Sequence, residues 1–214
     1  ALRGIEFDLR LRIYHWENRR DDAIWEDVVY VRLPIYHESY GVKGERHNPD
    51  HEFGACEFVP VLNGDEDPAE MIQFTKIRPD MDAANAQFAL VSDLLGDILI
   101  VRMRGEAMFW YAPIDSFIEW RGIENMMTDT VDRPEWLHAW LGRMLDWNLD
   151  LLGQFESQGM LGANHTGGHT IGSGGVGYTD ELPAEGFDPT HVRLKDMWGH
   201  ATTQIFSEVS PAMH

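Results

Sequence analysis

Apolar and polar positions change their spacing along the chain, and from residue 65 onward the pattern predicts strands and helices in turn. Before that point, residues 28–31 and 58–61 have the β-branched content of strands. Residues 41–54 between them are rich in His, Pro, Asp and Gly, which indicates a surface loop. We therefore treat residues 1–64 as an irregular N-terminal segment with the first strands, and residues 65–214 as β/α units.

The β/α part opens with two helices whose ends are marked by capping residues. Asp67-Pro68 has the cap-then-proline order of a helix start, and Asp80 caps a longer helix. Gly96 ends this longer helix, whose apolar residues recur at helical spacing at Ala84, Phe88, Val91 and Leu95. Residues 98–103 then form an apolar strand of the kind buried in parallel sheets.

The clearest helix is predicted over residues 134–152, with a proline in its first turn and an apolar stripe of Trp136, Trp140, Met144, Trp147 and Leu151. A short strand at residues 160–164, a glycine-rich loop at 167–177 and a further strand from 192–194 follow. This order predicts an α/β fold with a parallel sheet.

The number of β/α units indicates how much of a larger fold the chain contains. Three or so units are a third to a half of a (β/α)₈ TIM barrel, which usually needs ~250 residues. Ser210-Pro211 also has the pattern of a helix start close to the last residue. We therefore expect a TIM barrel that is incomplete in this chain, and an open, doubly wound sheet is the alternative.

Composition narrows the range of partners. The 214 residues include 36 acidic and 17 basic side chains, which give a net charge of −19. Nucleic acids are bound through accumulated Lys and Arg, so we expect no nucleic-acid or membrane partner. The single cysteine, Cys56, permits no internal disulfide and is typical of a reducing cytoplasm, where we expect the protein to be.

The first candidate cluster follows the strand at residues 98–103, at the end where parallel α/β folds form ligand sites. Arg104 is suited to binding a carboxylate or a phosphate. Glu106 is a candidate catalytic acid–base group, and Trp110 a candidate substrate contact. The alternative is a structural Arg–Glu pair with Trp110 as a packing residue.

The second cluster follows the strand at residues 160–164 and includes the glycine-rich loop, which is suited to bringing backbone N–H groups close to a ligand. His165, His169, Tyr178 and Asp180 are its candidate substrate-binding residues. The two histidines are four apart, but glycines between them disfavour the helix that a zinc pair needs. We therefore assign no metal ligand in this chain, and ordinary loop histidines are the alternative.

The third cluster surrounds the predicted strand end near residue 194. Asp196 and His200 are a candidate general acid–base pair. Trp198 and Gln204 are candidate substrate-binding residues, with the tryptophan as a stacking wall. In the alternative interpretation, Asp196 caps the next element and His200 is solvated.

Three segments, in order, resemble the uroporphyrinogen decarboxylase superfamily. Residues 113–136 resemble its Arg-Gly-x-Glu-Asn turn and the Asp-x-Pro-Glu helix start, through Arg121, Gly122, Glu124, Asn125, Asp132, Pro134 and Glu135. Residues 172–183 and 192–213 resemble motifs of the bacterial, non-haem members, including a Ser-Pro helix start. The resemblance covers about residues 65–214.

The resemblance implies a (β/α)₈ barrel with its site at the C-terminal mouth. The family contains tetrapyrrole decarboxylases and also methyltransferases that act with corrinoid proteins or thiols and hold zinc through His and Cys ligands. Those ligands belong to the second half of the barrel, outside this chain. The Arg-Gln-Ala-Gly-Arg motif of the decarboxylase branch does not occur in the sequence, which favours the methyltransferase-like branch.

The leading hypothesis is therefore an enzyme of methyl transfer in corrinoid-linked one-carbon metabolism, with a corrinoid protein as partner and a small-molecule substrate. One alternative is a carboxy-lyase that acts on uroporphyrinogen or another carboxylate. Another is a non-catalytic binding or partner subunit. A partial barrel would leave a sheet edge uncovered, so a homodimer is also an expectation.

Overall fold

The computed structural model describes residues 2–19, 25–38, 41–48, 54–165, 170–171, 174–175 and 181–210. Within these ranges the chain is a mixed α/β protein in which short strands pair into two-stranded sheets. The described strands do not close into a barrel. None of the described helices is both long enough and apolar enough to cross a lipid bilayer.

The described elements alternate along most of the chain. The helices are α1 (Leu2–Asn18), α2 (Pro68–Met71), α3 (Met81–Leu95), α4 (Pro113–Arg121), α5 (Ile123–Asp132) and α6 (Pro134–Ser157). The strands are β1 (Val28–Arg32), β2 (Ile35–His37), β3 (Glu45–His47), β4 (Glu57–Val59), β5 (Ile77–Pro79), β6 (Ile100–Arg104), β7 (Trp110–Tyr111), β8 (Thr170–Ile171), β9 (Gly174–Gly175) and β10 (His200–Ala201).

The chain divides into two compact units, each built from separate stretches of sequence. The first unit contains Ala1–Tyr36, Ile77–Trp110 and Gln154–His200. The second contains His37–Lys76, Tyr111–Gly153 and Ala201–His214. The boundary near residue 65 that the sequence suggests stays a prediction.

The first unit is organised around a parallel pair of strands. Strands β1 and β6 run side by side, in register from Val28 opposite Ile100 to Arg32 opposite Arg104. One face of the pair packs against α3, where Val91 is fully buried. The predicted helix is confirmed: the Asp80 side chain accepts the N–H of Ala83 at its start, and Gly96 caps its end.

The parallel arrangement continues beyond β6. Glu106 and Leu161 form a parallel β-bridge, in which the Glu106 N–H donates to the Met160 carbonyl and the Gly162 N–H to the Glu106 carbonyl, both at 2.8 Å. The strand predicted at residues 160–164 is therefore reduced to a single bridge. The segments that hold the candidate residues of the first two clusters are neighbours as a result.

The strand predicted from residues 192–194 is wrong. Leu194–Asp196 is a turn of 3₁₀ helix, because the Asp196 carboxylate accepts the backbone N–H and the guanidinium of Arg193. This local pairing of side chain and backbone favours a tight turn over an extended chain.

Helix α1 was not predicted. It has no buried residue, and its Ile5 and Leu9 lie beside the strand cluster of the first unit as partly buried neighbours. The Arg12 guanidinium donates to the Val28 carbonyl at 2.9 Å. Contacts at a few positions, rather than a buried stripe, hold this helix.

The second unit is a helical cluster around aromatic residues. Trp140, Phe117 and Met126 are fully buried in its core, and the rings of Phe117 and Trp140 lie 5.8 Å apart. The predicted long helix is confirmed as α6 and extends five residues further, to Ser157. The short helix α2 is confirmed as well, with Asp67 as its cap.

Candidate functional site

A cavity of about 430 Å³ lies in the first unit against β1 and β6, and its lining includes Arg104 at the carboxyl end of β6. A volume of this size is typical of a small-molecule pocket. The polar and aromatic side chains that line it are Glu26, Tyr30, Arg102, Arg104, His165 and Phe187. One candidate residue from each of the first two sequence clusters, Arg104 and His165, therefore lines the same cavity.

The alternation of strand β6 explains why two arginines face the cavity. Side chains two apart on a strand point to the same side, so Arg102 and Arg104 share one face of the sheet. Val101, on the opposite face, packs with the core cluster. Tyr30 joins the arginines because β1 places it opposite Arg102.

Arg104 is the more enclosed of the two arginines and contacts Tyr30. Its guanidinium carbon lies 4.7 Å from the centre of the Tyr30 ring, in cation–π contact. Burial lowers the pKa of Arg104 below its usual value, and the nearby Tyr30, Glu106 and Glu26 oppose this shift. An arginine stays protonated under such a shift, so Arg104 places a positive charge in the cavity wall.

Two glycines allow the backbone at the cavity to pack closely. A Cβ atom on Gly105 would clash with the Met160 carbonyl and lie 2.8 Å from the carbonyl carbon of Leu161. A Cβ on Gly162 would lie 2.7 Å from Cγ of Arg104. Side chains at these positions would push the two parallel segments apart.

Asn164 joins three segments of the first unit. The residue is 1% exposed. Its Nδ2 group donates to the carbonyls of Ala107 and Trp198, both at 2.8 Å, and its Oδ1 accepts the Trp198 N–H at 2.9 Å. Because His165 follows directly, these bonds fix the backbone that carries the histidine to the cavity.

His165 presents an imidazole to the cavity. Its ring meets Phe187 edge-on, with centroids 5.1 Å apart and planes at 89°. Its Nδ1 atom is buried and has no hydrogen-bond partner among the residues that the structure describes. A buried polar atom of this kind usually has a hydrogen-bond partner.

The carboxylate of Glu106, the predicted acid–base group, forms hydrogen bonds with the backbone of the next two residues. Its carboxylate accepts the N–H groups of Ala107 and Met108, each at 3.1 Å, and pairs with Arg32 at 3.2 Å. The structure therefore favours a positioning role for this carboxylate beside the cavity. A catalytic role stays a prediction.

Asp196 and His200 have separate partners. Asp196 is fully buried, and the hydrogen bond from the Arg193 guanidinium holds its pKa below the usual value. His200 stacks on Trp110, with ring centroids 4.1 Å apart. No hydrogen bond joins the two in the described part of the chain, and the Asp196 carboxylate instead accepts the Arg193 N–H at the start of the 3₁₀ turn that Asp196 itself ends.

The remaining predicted residues are dispersed. Trp198 contacts Asn164 through its backbone. Gln204 is exposed in the second unit, at the start of the 3₁₀ turn Gln204–Phe206. His169, Tyr178 and Asp180 lie outside the described residues.

Some lining residues were missed from the sequence. Tyr30 reaches the cavity through the pairing of β1 with β6, and Phe187 through its contact with His165. Glu26 precedes β1 in the segment interpreted as irregular. The β-branched content of residues 28–31 predicts a strand, but it does not indicate which strand pairs with it.

The described residues contain no cluster of three or more His, Cys, Asp or Glu side chains suited to holding a metal ion. Zinc ligands outside this chain stay a prediction. Compared with models of known families, with curated proteins and with solved structures, the chain has no significant match. The family resemblance therefore depends on the three sequence segments alone.

Proposed function

We propose that this chain is part of a (β/α)₈-barrel enzyme of the uroporphyrinogen decarboxylase superfamily, in its methyltransferase-like branch, and that it acts in corrinoid-linked methyl transfer in the cytoplasm. One observation carries the proposal: a small-molecule cavity is lined by Arg104 at the carboxyl end of β6, a strand that pairs in parallel with β1. Barrel enzymes build their sites at this end of the strands.

The residues of this chain bind and orient the substrate in this proposal. Arg104 holds an anionic group, His165 hydrogen-bonds a polar group, and Asn164 positions the histidine. The described residues do not fit a zinc ion, so we assign them no metal-dependent step. Zinc bound elsewhere in the whole protein would supply a Lewis acid for a thiol, and the corrinoid would arrive on a partner protein.

A second candidate is decarboxylation of a carboxylate substrate, and the two cavity arginines favour it. Guanidinium groups bind carboxylates through paired, charge-assisted hydrogen bonds. In this reaction the carbon–carbon bond to the carboxylate breaks, carbon dioxide leaves, and a proton is delivered to the remaining carbon. His165 is the group in the cavity that is suited to carrying that proton.

The test uses the full-length protein in two assays. We expect zinc- and thiol-dependent demethylation of methylcobalamin, measured by visible absorbance, and no carbon dioxide from uroporphyrinogen. Arg104→Met should lower the rate at least about tenfold, equivalent to about 1.4 kcal/mol. Arg46→Met, an exposed arginine on β3, is the matched control and should keep the wild-type rate.

The outcomes separate the candidate functions. Carbon dioxide release with no demethylation would support the carboxy-lyase and contradict the leading proposal. No turnover in either assay would contradict both enzymatic proposals and favour a non-catalytic binding subunit. Equal loss of rate in both arginine variants would contradict the assignment of the site to the cavity.

A further inference from the structure

We infer that the cavity beside β1 and the carboxyl end of β6 binds a small organic monocarboxylate, with its carboxylate on Arg104 and an apolar body against Leu161 and Phe187. The inference rests on the proposed function only in taking this cavity as the ligand site. It names the class of ligand and holds for either reaction.

Charge is the first argument. The chain as a whole carries a net charge of −19, whereas the cavity lining has two arginines, Arg102 and Arg104, against one acid, Glu26. The arginine and glutamate side chains of the lining therefore leave one excess positive charge. A guanidinium binds a carboxylate through charge-assisted hydrogen bonds, so a ligand with one negative charge complements this lining.

The shape of the cationic group is the second argument. The guanidinium of Arg104 is planar and presents paired donors that match the two oxygens of a carboxylate. The Tyr30 ring lies 4.7 Å from the guanidinium carbon and limits its orientation. An arginine oriented in this way loses less side-chain freedom on binding than a fully mobile one.

The rest of the lining defines the body of the ligand. Leu161, Val192 and Phe187 give the cavity apolar walls beside its charged end. A water molecule takes about 30 Å³ in the liquid, so a volume of about 430 Å³ has room for a ligand of on the order of ten non-hydrogen atoms. The cavity therefore favours a compact acid with an apolar part over an inorganic anion.

His165 adds a contact next to the carboxylate. Its buried Nδ1 atom has no hydrogen-bond partner within the described ranges and lines the same cavity as Arg104. A second polar oxygen of the ligand would satisfy this atom. We therefore expect the histidine to contribute to affinity separately from the arginine.

The experiment measures binding without turnover. Benzoate, phenylacetate and hexanoate are titrated into the full-length protein by ligand-observed NMR, each beside its neutral amide, with inorganic phosphate as an anion that has no apolar body. We expect at least one acid to bind with a Kd tighter than about 10 mM. Its amide and phosphate should bind at least about tenfold more weakly, a difference of about 1.4 kcal/mol.

Variants connect the binding to the cavity. Arg104→Met should weaken acid binding at least about tenfold and leave amide binding unchanged, because only the charged contact is lost. Arg104→Lys should restore part of the affinity. Arg46→Met should bind as wild type, and matching circular dichroism spectra check that each variant is folded.

Several outcomes would overturn the inference. They are an amide that binds as tightly as its acid, phosphate that binds as tightly as the acids, no acid binding at all, or acid binding that survives Arg104→Met. Acid binding with no demethylation and no carbon dioxide release would leave the inference standing while the proposed function fails. Turnover with no acid binding would contradict the inference and leave the proposed function standing.

Discussion

Asp129 is a buried carboxylate that organises part of the second unit. Its side chain is 3% exposed and pairs with Arg121 at 2.7 Å and Arg133 at 3.1 Å. The Arg121 guanidinium also donates to the Leu62 carbonyl at 3.0 Å. One acidic residue thus holds two arginines that connect helix α5 to the loop before α2.

Replacing Asp129 should therefore destabilise the protein strongly. Asp129→Asn removes the negative charge between two guanidinium groups, and breaking a buried ion pair in this way costs about 3 kcal/mol. The midpoint of urea denaturation should fall accordingly. Asp93→Asn, an exposed change on α3, should stay within about 0.5 kcal/mol of wild type; an equal loss in both variants would refute the role of Asp129.

Asn164 allows a sharper test because aspartate has nearly the same shape as asparagine but carries a negative carboxylate in place of the amide. In Asn164→Asp, a carboxylate oxygen would face the carbonyls of Ala107 and Trp198, which now accept an N–H at 2.8 Å. Losing two buried hydrogen bonds should lower the free energy of unfolding by about 2–3 kcal/mol. Urea denaturation measures it, and a variant as stable as wild type would contradict the described bonds.

At the scale of elements, the close contact between the segment after β6 and residues 160–162 depends on glycine. Gly105→Ala would place a methyl group against the Met160 carbonyl, so the bridge between Glu106 and Leu161 should open and the melting temperature should fall. Gly142→Ala is the control. That exposed helical position has open space and should gain about 0.5–1 kcal/mol from helix propensity.

The sequence predicted the elements whose ends carry capping chemistry. Asp67, Asp80 and Pro134 mark helices that the structure confirms, because cap geometry is set by a few neighbouring residues. The prediction of a strand at residues 192–194 was wrong because the Arg193–Asp196 pair stabilises a 3₁₀ turn there. Helix α1 was missed because it buries no stripe, and Phe7 and Trp16 stay exposed.

The site was only partly predictable for a similar reason. Arg104 and His165 follow segments that were expected to be strands, so the rule that sites form at strand ends placed both in one region. Tyr30 depends on which strand pairs with β6, and that is a long-range choice. Phe187 depends on a loop whose path no local pattern encodes.

For the whole molecule, we expect the free energy of unfolding to fall at low pH. Hydrogen bonds from Arg193 lower the pKa of Asp196, and those from Arg121 lower that of Asp129 although burial opposes the shift. A carboxyl group whose pKa is lower in the folded state stabilises the fold above its unfolded value of about 3.9. That stabilisation is lost as the pH falls through the folded values.

Urea denaturation between pH 7 and pH 2 measures this dependence. We expect a plateau above about pH 5 and a steep loss of stability below about pH 4. Arg193→Met should flatten the part of the acid response that comes from Asp196, because the native and unfolded pKa values then approach each other. Stability that rises as the pH falls would contradict the assignment.

The positive cavity wall in a strongly negative protein has a kinetic consequence. An anion must cross the field of a chain of charge −19 before it meets Arg104, so long-range repulsion slows its capture. Dissolved salt shortens the reach of that field to about 10 Å at 0.1 M. The association rate of a monocarboxylate should therefore increase with ionic strength, and a decrease would show that local attraction dominates the encounter.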